Sequence, residues 1–127
     1  MTAHRIRDLA GHFEKNQFQP NAREFGQMVE LVTSRLPSYV DLYLSIWEVH
    51  LVHEADQRRG DRSVELVVEL DEETVRVALV LERRPLQLRK QWAGSIKEAS
   101  SIIVDWTTEM LVLREKRGQR VSFEMDL

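Results

Sequence analysis

From Ser63 to Arg84 apolar residues fall on every second position. Val64, Leu66, Val68 and Leu70 are followed, after Asp71-Glu72-Glu73, by Val75, Val77, Leu79 and Leu81. Period two with many β-branched residues marks half-buried strands, so this stretch predicts an antiparallel hairpin. Centring its turn on Glu72-Glu73 sets Leu70 opposite Val75, Val68 opposite Val77, Leu66 opposite Leu79 and Glu69 opposite Arg76. A slip of one residue would turn the apolar face to water, which fixes the register strongly. Glu-Glu is poor chemistry for a two-residue primed turn, so a four-residue loop, Asp71–Thr74, is expected with the same pairing. The outward face carries Glu65, Glu69 and Arg76, but also Val67, Ala78 and Val80. Those three need cover from a helix of this chain or from another molecule, and they are the expected interface.

Other segments follow other periods. Ile6, Leu9, Ala10 and Phe13 predict a short first helix over Thr2–Glu14. Asn21, with Glu24 three residues on, reads as a capping box opening a second helix whose stripe is Phe25, Met28, Val29, Val32 and Leu36; Pro37 ends it. In Tyr39–Glu54 the alternation Val40, Leu42, Leu44, Ile46 shifts phase to Trp47, Val49, Leu51. One long strand with a bulge near Ser45–Trp47 explains the shift, and a helix through Val40, Leu44, Trp47 and Leu51 is the alternative. Ala55–Arg62 is a polar loop.

Pro85 suits the first turn of a helix, and Leu88, Trp92, Ile96, Ala99, Ile103 and Trp106 then follow one helical stripe, with a strand at Ser101–Thr107 as the alternative. Leu111–Leu113 and Val121–Met125 flank Gly118 as a closing hairpin. The expectation is therefore a single α+β domain over residues 1–127, a predominantly antiparallel sheet of about five strands in the order ααβββαββ, with helices on one face. In order alone it is loosely similar to small acidic α+β chaperones that dimerise and bind partner chains, an analogy that assigns no function.

Composition narrows the classes. With 43% apolar and 31% charged residues the 127-residue chain can build a core unaided. It has no cysteine, which removes disulfide scaffolds, thiolate metal sites and cysteine nucleophiles and fits a reducing, cytoplasmic setting. The charged start MTAHRIRDLAGHF does not resemble a signal peptide, and no apolar run reaches the roughly 20 residues of a membrane span, so no membrane partner is expected. A net charge of −3 gives no global attraction to nucleic acid, but the charge is unevenly placed. Glu65–Glu73 holds five acids and no base, whereas Arg83–Lys90 holds four bases and no acid.

Candidate chemistry is sparse. His50, His53 and Glu54 would share a face on a helix and could ligate a divalent ion; on a strand the two histidines point to opposite faces, so no metal is expected. Glu65, Glu69, Asp71 and Glu82 invite a metal-dependent nuclease or hydrolase reading, but Arg83 and Arg84 follow where such a site would carry a lysine. Basic groups recur at 58–62, 83–90 and 114–120. Arg58, Arg59, Arg83, Arg84, Arg89, Lys90, Lys116 and Arg117 would form a nucleic-acid footprint if they met on one surface. No phosphate-cradling glycine loop, nucleophile elbow or HExxH motif is present in the sequence. No cofactor and no small-molecule ligand is implied. The leading expectation is a non-enzymatic protein-interaction module (adaptor, chaperone-like or inhibitory partner protein), forming a homodimer. A small nucleic-acid-binding protein is the alternative.

Overall fold

Eight elements follow in the order ααβββββα in the computed structural model, which describes residues 8–16, 20–45, 48–57 and 63–125, with no side chain described at 16 or beyond 117. The first, α1 (Leu9–Asn16), opens behind Asp8, whose Oδ1 accepts the Gly11 N–H at 2.8 Å and satisfies a donor that the first turn leaves free. Residues 2–7 of the expected first helix lie outside the described residues. The next, α2 (Ala22–Thr33), follows Asn21 as expected, but Asn21 makes no side-chain cap bond, so the reciprocal box lacks that arm. Two tighter bonds, Arg35 N–H to Val32 O and Leu36 N–H to Thr33 O, close the end of α2 before Pro37.

Tyr39–Glu54 is neither one bulged strand nor a helix. It is a hairpin of β1 (Val40–Leu44) and β2 (Glu48–His53), with Leu42 paired to Leu51 and Tyr43 to His50. Reversal of the chain after Ser45 shifts the apolar phase as a bulge would, while returning Val49 and Leu51 to the face already held by Val40 and Leu42. The next hairpin, β3 (Glu65–Asp71) and β4 (Thr74–Arg83), has the expected register throughout, Glu69 opposite Arg76 included. Its turn is shorter than expected. Asp71 pairs with Thr74, leaving Glu72 and Glu73 as a two-residue connection in which Glu72 adopts φ of 56°.

The largest departures lie at 85–95 and beyond 106. Arg84 and Pro85, joined by a cis peptide bond, form a turn, and Leu86–Gly94 is a fifth strand, β5, antiparallel to β4. The helix starts at Ile96 as α3 (Ile96–Met125), 30 residues that keep the second half of the expected helix and continue through the expected closing hairpin. Ser95 provides its cap, accepting the Glu98 N–H at 3.3 Å while its hydroxyl bonds Glu98 Oε1 at 3.0 Å. The likeness in element order to dimeric chaperones goes with this correction. The α+β class and the antiparallel five-stranded sheet stand, in the order β1-β2-β3-β4-β5.

All three helices contribute to the core on one side of the sheet. Phe13 and Phe25, in edge-to-face contact at 5.0 Å, and Ile103 and Met110 of α3 close over Leu66, Val68, Val77 and Leu79, each of these four strand residues fully buried. At 25 cal/mol per Å², each large side chain so buried contributes roughly 1.5–3 kcal/mol. Asp56, itself buried, receives Arg114 Nε at 2.6 Å, tying α3 to the single 3₁₀ turn Glu54–Asp56 that follows β2. Among the described residues this arrangement leaves the opposite face of β2–β5 without a helix.

Candidate functional site: a buried carboxylate beside the open face of the sheet

Alternation along each strand decides what stands on the helix-free face: Tyr43 from β1, Glu48 and His50 from β2, Glu65, Val67 and Glu69 from β3, Arg76, Ala78 and Val80 from β4. These residues separate into a closed polar cluster and an open cavity. Glu65 is the centre of the cluster and is 1% exposed. Its Oε2 accepts the Tyr43 hydroxyl at 2.7 Å, and its Oε1 lies 2.8 Å from His50 Nδ1 and is also contacted by Arg83 Nη2. Arg83 Nη2 in addition donates to the Tyr43 hydroxyl oxygen at 2.8 Å. The Tyr43 and His50 rings, opposite each other across the β1–β2 ladder, stack at 4.5 Å with planes 12° apart. The other ring nitrogen of His50 reaches Glu48 Oε2 at 2.8 Å. His50 thus lies between two carboxylates, and Arg83 Nη2 approaches the same Nδ1 at 2.5 Å.

The electrostatics follow from this packing. Burial alone would push the Glu65 carboxyl up; bonds from His50, Tyr43 and Arg83 outweigh it and hold the group below the usual carboxylate range. Burial likewise disfavours the Arg83 cation, but Glu65 reverses that effect and raises its pKa. Tyr43 moves up from its ordinary value, first through burial and then through its bond to Glu65, and is held as a hydrogen-bond donor. Chemically, the cluster is a closed anion–cation pair with its acceptors engaged.

The cavity, about 640 Å³, lies beside this cluster over β2–β5. Val67, Ala78 and Val80 line it, together with Leu86 and Leu88 of β5, and Glu48, His50, Glu69, Arg76 and Arg83 supply its polar edge. Its size falls within the roughly 300–1,000 Å³ of ligand pockets. Leu86 and Leu88 are 64% and 40% exposed, large apolar groups left in water beside an apolar floor. Burial pushes the Glu69 carboxyl up, and Glu48, directly opposite it across the β2–β3 ladder, pushes it further.

The remaining residues singled out from sequence scatter. His53 is three positions from His50 on the same strand and so faces the other way; it stacks on Tyr39 at 5.3 Å and accepts the Ala55 N–H at 3.0 Å. Glu54 belongs to the 3₁₀ turn. Among the described residues no group of three or more histidines, aspartates or glutamates is arranged to hold a metal ion. Of the four acids in the nuclease reading, Glu65 is sealed, Asp71 pairs with Arg76 at 3.1 Å, and Glu69 faces the cavity. Arg58 and Arg59 lie outside the described residues. Lys90 is on β5, paired with Glu109 and 4.6 Å above the Trp106 ring, and Arg89 is 3.8 Å from the same Glu109. Arg84 sits in the β4–β5 turn, Lys116 is exposed on α3, and Arg117 Nη1 donates to Leu81 O at 2.7 Å.

Sequence reasoning missed the Tyr43–His50–Glu65–Arg83 cluster. A hairpin reading of 39–54 would have placed Tyr43 opposite His50 and exposed it. Comparison with known proteins returned no match to a family model, a curated protein or a solved structure. Among the described residues no helix is long and apolar enough to cross a membrane.

Proposed function

We propose that this protein is a non-enzymatic interaction module that binds a segment of a partner protein on the open face of its sheet. The observation that carries this reading is the cavity with Val67, Ala78 and Val80 at its floor and the exposed Leu86 and Leu88 at its wall. Apolar surface beside such a floor is characteristic of recognition sites. A non-enzymatic role is supported by the closed state of the neighbouring cluster: Glu65 is sealed from solvent, and Tyr43 and Arg83 are both held in their protonated forms. An adaptor, a chaperone-like protein and an inhibitory partner would all use this surface, as would a second copy in a homodimer. The cysteine-free composition supports action in a reducing compartment such as the cytoplasm.

Nucleic acid is the weaker alternative. Arg83, Lys90, Arg114 and Arg117 are each engaged by acceptors of the protein itself, which leaves fewer cations to displace counterions from phosphates.

The test is capture of binding proteins by the wild type and by Ala78→Arg, with circular dichroism to establish that the variant keeps its fold. A stoichiometric partner lost from the variant is the expected result. A partner retained by Ala78→Arg, or retention on DNA or RNA that falls steeply with salt, overturns the proposal.

A further inference from the structure

The charge around the cavity goes further than its shape. In the β2–β3 ladder Glu48 is directly opposite Glu69, two like charges in a position that ordinarily destabilises a sheet. Arg76, opposite Glu69 on the other side, has its guanidinium 3.1 Å from Asp71. Arg83 is committed to Glu65. Each guanidinium on the cavity therefore has a carboxylate of its own. Glu65 and Asp71, outside the lining, thus take up the two guanidiniums of the cavity, and Glu48 and Glu69 on its wall have the His50 ring and the facing Arg76 as basic neighbours.

Resting on the reading of the open face as a protein-binding surface, we infer that its occupant is a basic amphipathic segment of a partner polypeptide. Its apolar side rests on Val67, Ala78, Val80 and Leu88, and a lysine or arginine is seated against Glu48 and Glu69. The two requirements come from different features of one cavity: the floor selects for apolar side chains, and the acidic pair selects the charge beside them. An acidic segment would add a third carboxylate beside a pair whose basic neighbours, His50 at Glu48 and Arg76 opposite Glu69, are already shared with Glu65 and Asp71. A purely apolar one would bury Glu48 and Glu69 while bringing no further cation to them. Charge complementarity of this kind also speeds encounter and excludes wrong partners, so binding should weaken as salt rises.

The raised carboxyl of Glu69 fits the same account, since a bound cation removes the repulsion from Glu48.

The probe is a labelled peptide of leucine and lysine, roughly 15 residues with its leucines at helical spacing, about four turns long. A second peptide has every lysine replaced by glutamate. Titrations use the full chain, the double variant Glu48→Gln/Glu69→Gln, and Ala78→Arg, with Val67→Lys as a second block of the floor should Ala78→Arg fail to fold. Expected are binding of the lysine peptide, at least tenfold weaker binding to the double variant, no binding to the blocked floor, and none of the glutamate peptide. Equal binding to the double variant, or preference for the glutamate peptide, overturns the basic occupant while leaving the face as the binding surface. Binding undiminished by both floor variants sinks the binding-face reading itself. Binding of neither peptide overturns the inference. So does a wild-type dimer that Ala78→Arg converts to monomer in light scattering, since a second copy would then occupy the face.

Discussion

Glu65 Oε1 and His50 Nδ1 meet at 2.8 Å on the helix-free face of the sheet, where both residues are buried. A carboxylate so placed is tolerated only while its partners remain, because an ion left unpaired in a protein interior keeps its desolvation cost without its Coulombic return. Replacing Glu65 by Gln leaves the half-buried Arg83 facing a neutral group and should destabilise the protein by about 1–3 kcal/mol. Urea denaturation of wild type and Glu65→Gln checks this. A loss below about 1 kcal/mol would show that the cluster is not a stabilising pair.

The same group sets the acid limb of stability. Its folded pKa is depressed below the ordinary 4.5, so its contribution is fully present above that value and is lost as pH falls through the folded value. Tyr43, raised above 10.0, contributes below that pH and loses its contribution as the solution becomes more alkaline. Wild type should therefore lose stability below pH 4.5 more steeply than Glu65→Gln does. Thermal melts across that range give the comparison.

Glu69 has the opposite sign. Its carboxyl is raised, first by burial and then by Glu48, so the folded state favours the neutral form, and that preference is lost as pH rises through the folded value. Glu69→Gln should melt higher than wild type at neutral pH, and the advantage should vanish below 4.5. An unchanged melting temperature at neutral pH would mean that Glu48 and Glu69 do not repel.

Gly26 lies inside α2, where alanine would ordinarily be preferred by about 1 kcal/mol. Here a Cβ would fall 2.5 Å from the backbone N and Cα of Ala10, so α1 crosses α2 at the one position that lacks a side chain. Gly26→Ala should cost roughly 1–3 kcal/mol despite its better helix propensity. Chemical denaturation decides whether propensity or contact prevails.

Glu72 holds φ of 56° in the β3–β4 turn, a conformation that costs an L-residue other than glycine or asparagine roughly 1–2 kcal/mol. Glu72→Gly relieves it and should raise the melting temperature by a few degrees. A lower one would mean that the Glu72 side chain contributes more than its backbone strain costs.

What was legible in the sequence was what a single period could define. The β3–β4 register followed because eight alternating apolar residues admit one pairing that buries them all. The failures share a physical cause. Leu88, Trp92 and Ile96 are spaced by four, which is even and also close to 3.6, so the spacing fits a strand and a helix alike. The threes that break the tie begin after Ile96, where the helix begins. The capping pair Ser95–Glu98 marked that start, and Pro85, read as a helix opener, sits instead in the turn before β5. Leu111–Leu113 is too short a run to distinguish a strand from the flank of a buried helix. In the candidate site, Val67, Ala78 and Val80 were visible by alternation. The Glu65 cluster was not, because Tyr43 and His50 come to stand opposite each other only once the chain turns after Ser45.

The reach of Arg83 has one further consequence. From β4 it contacts Tyr43 on β1, spanning the two strands between them with a side chain rather than with backbone bonds. A sheet packed on only one side is free to change its curvature, and this crossbar restrains it on the bare side. The shape of the hollow between Val67 and Leu88 is thus set partly at Tyr43, so a substitution on that edge strand would reshape a surface it never touches.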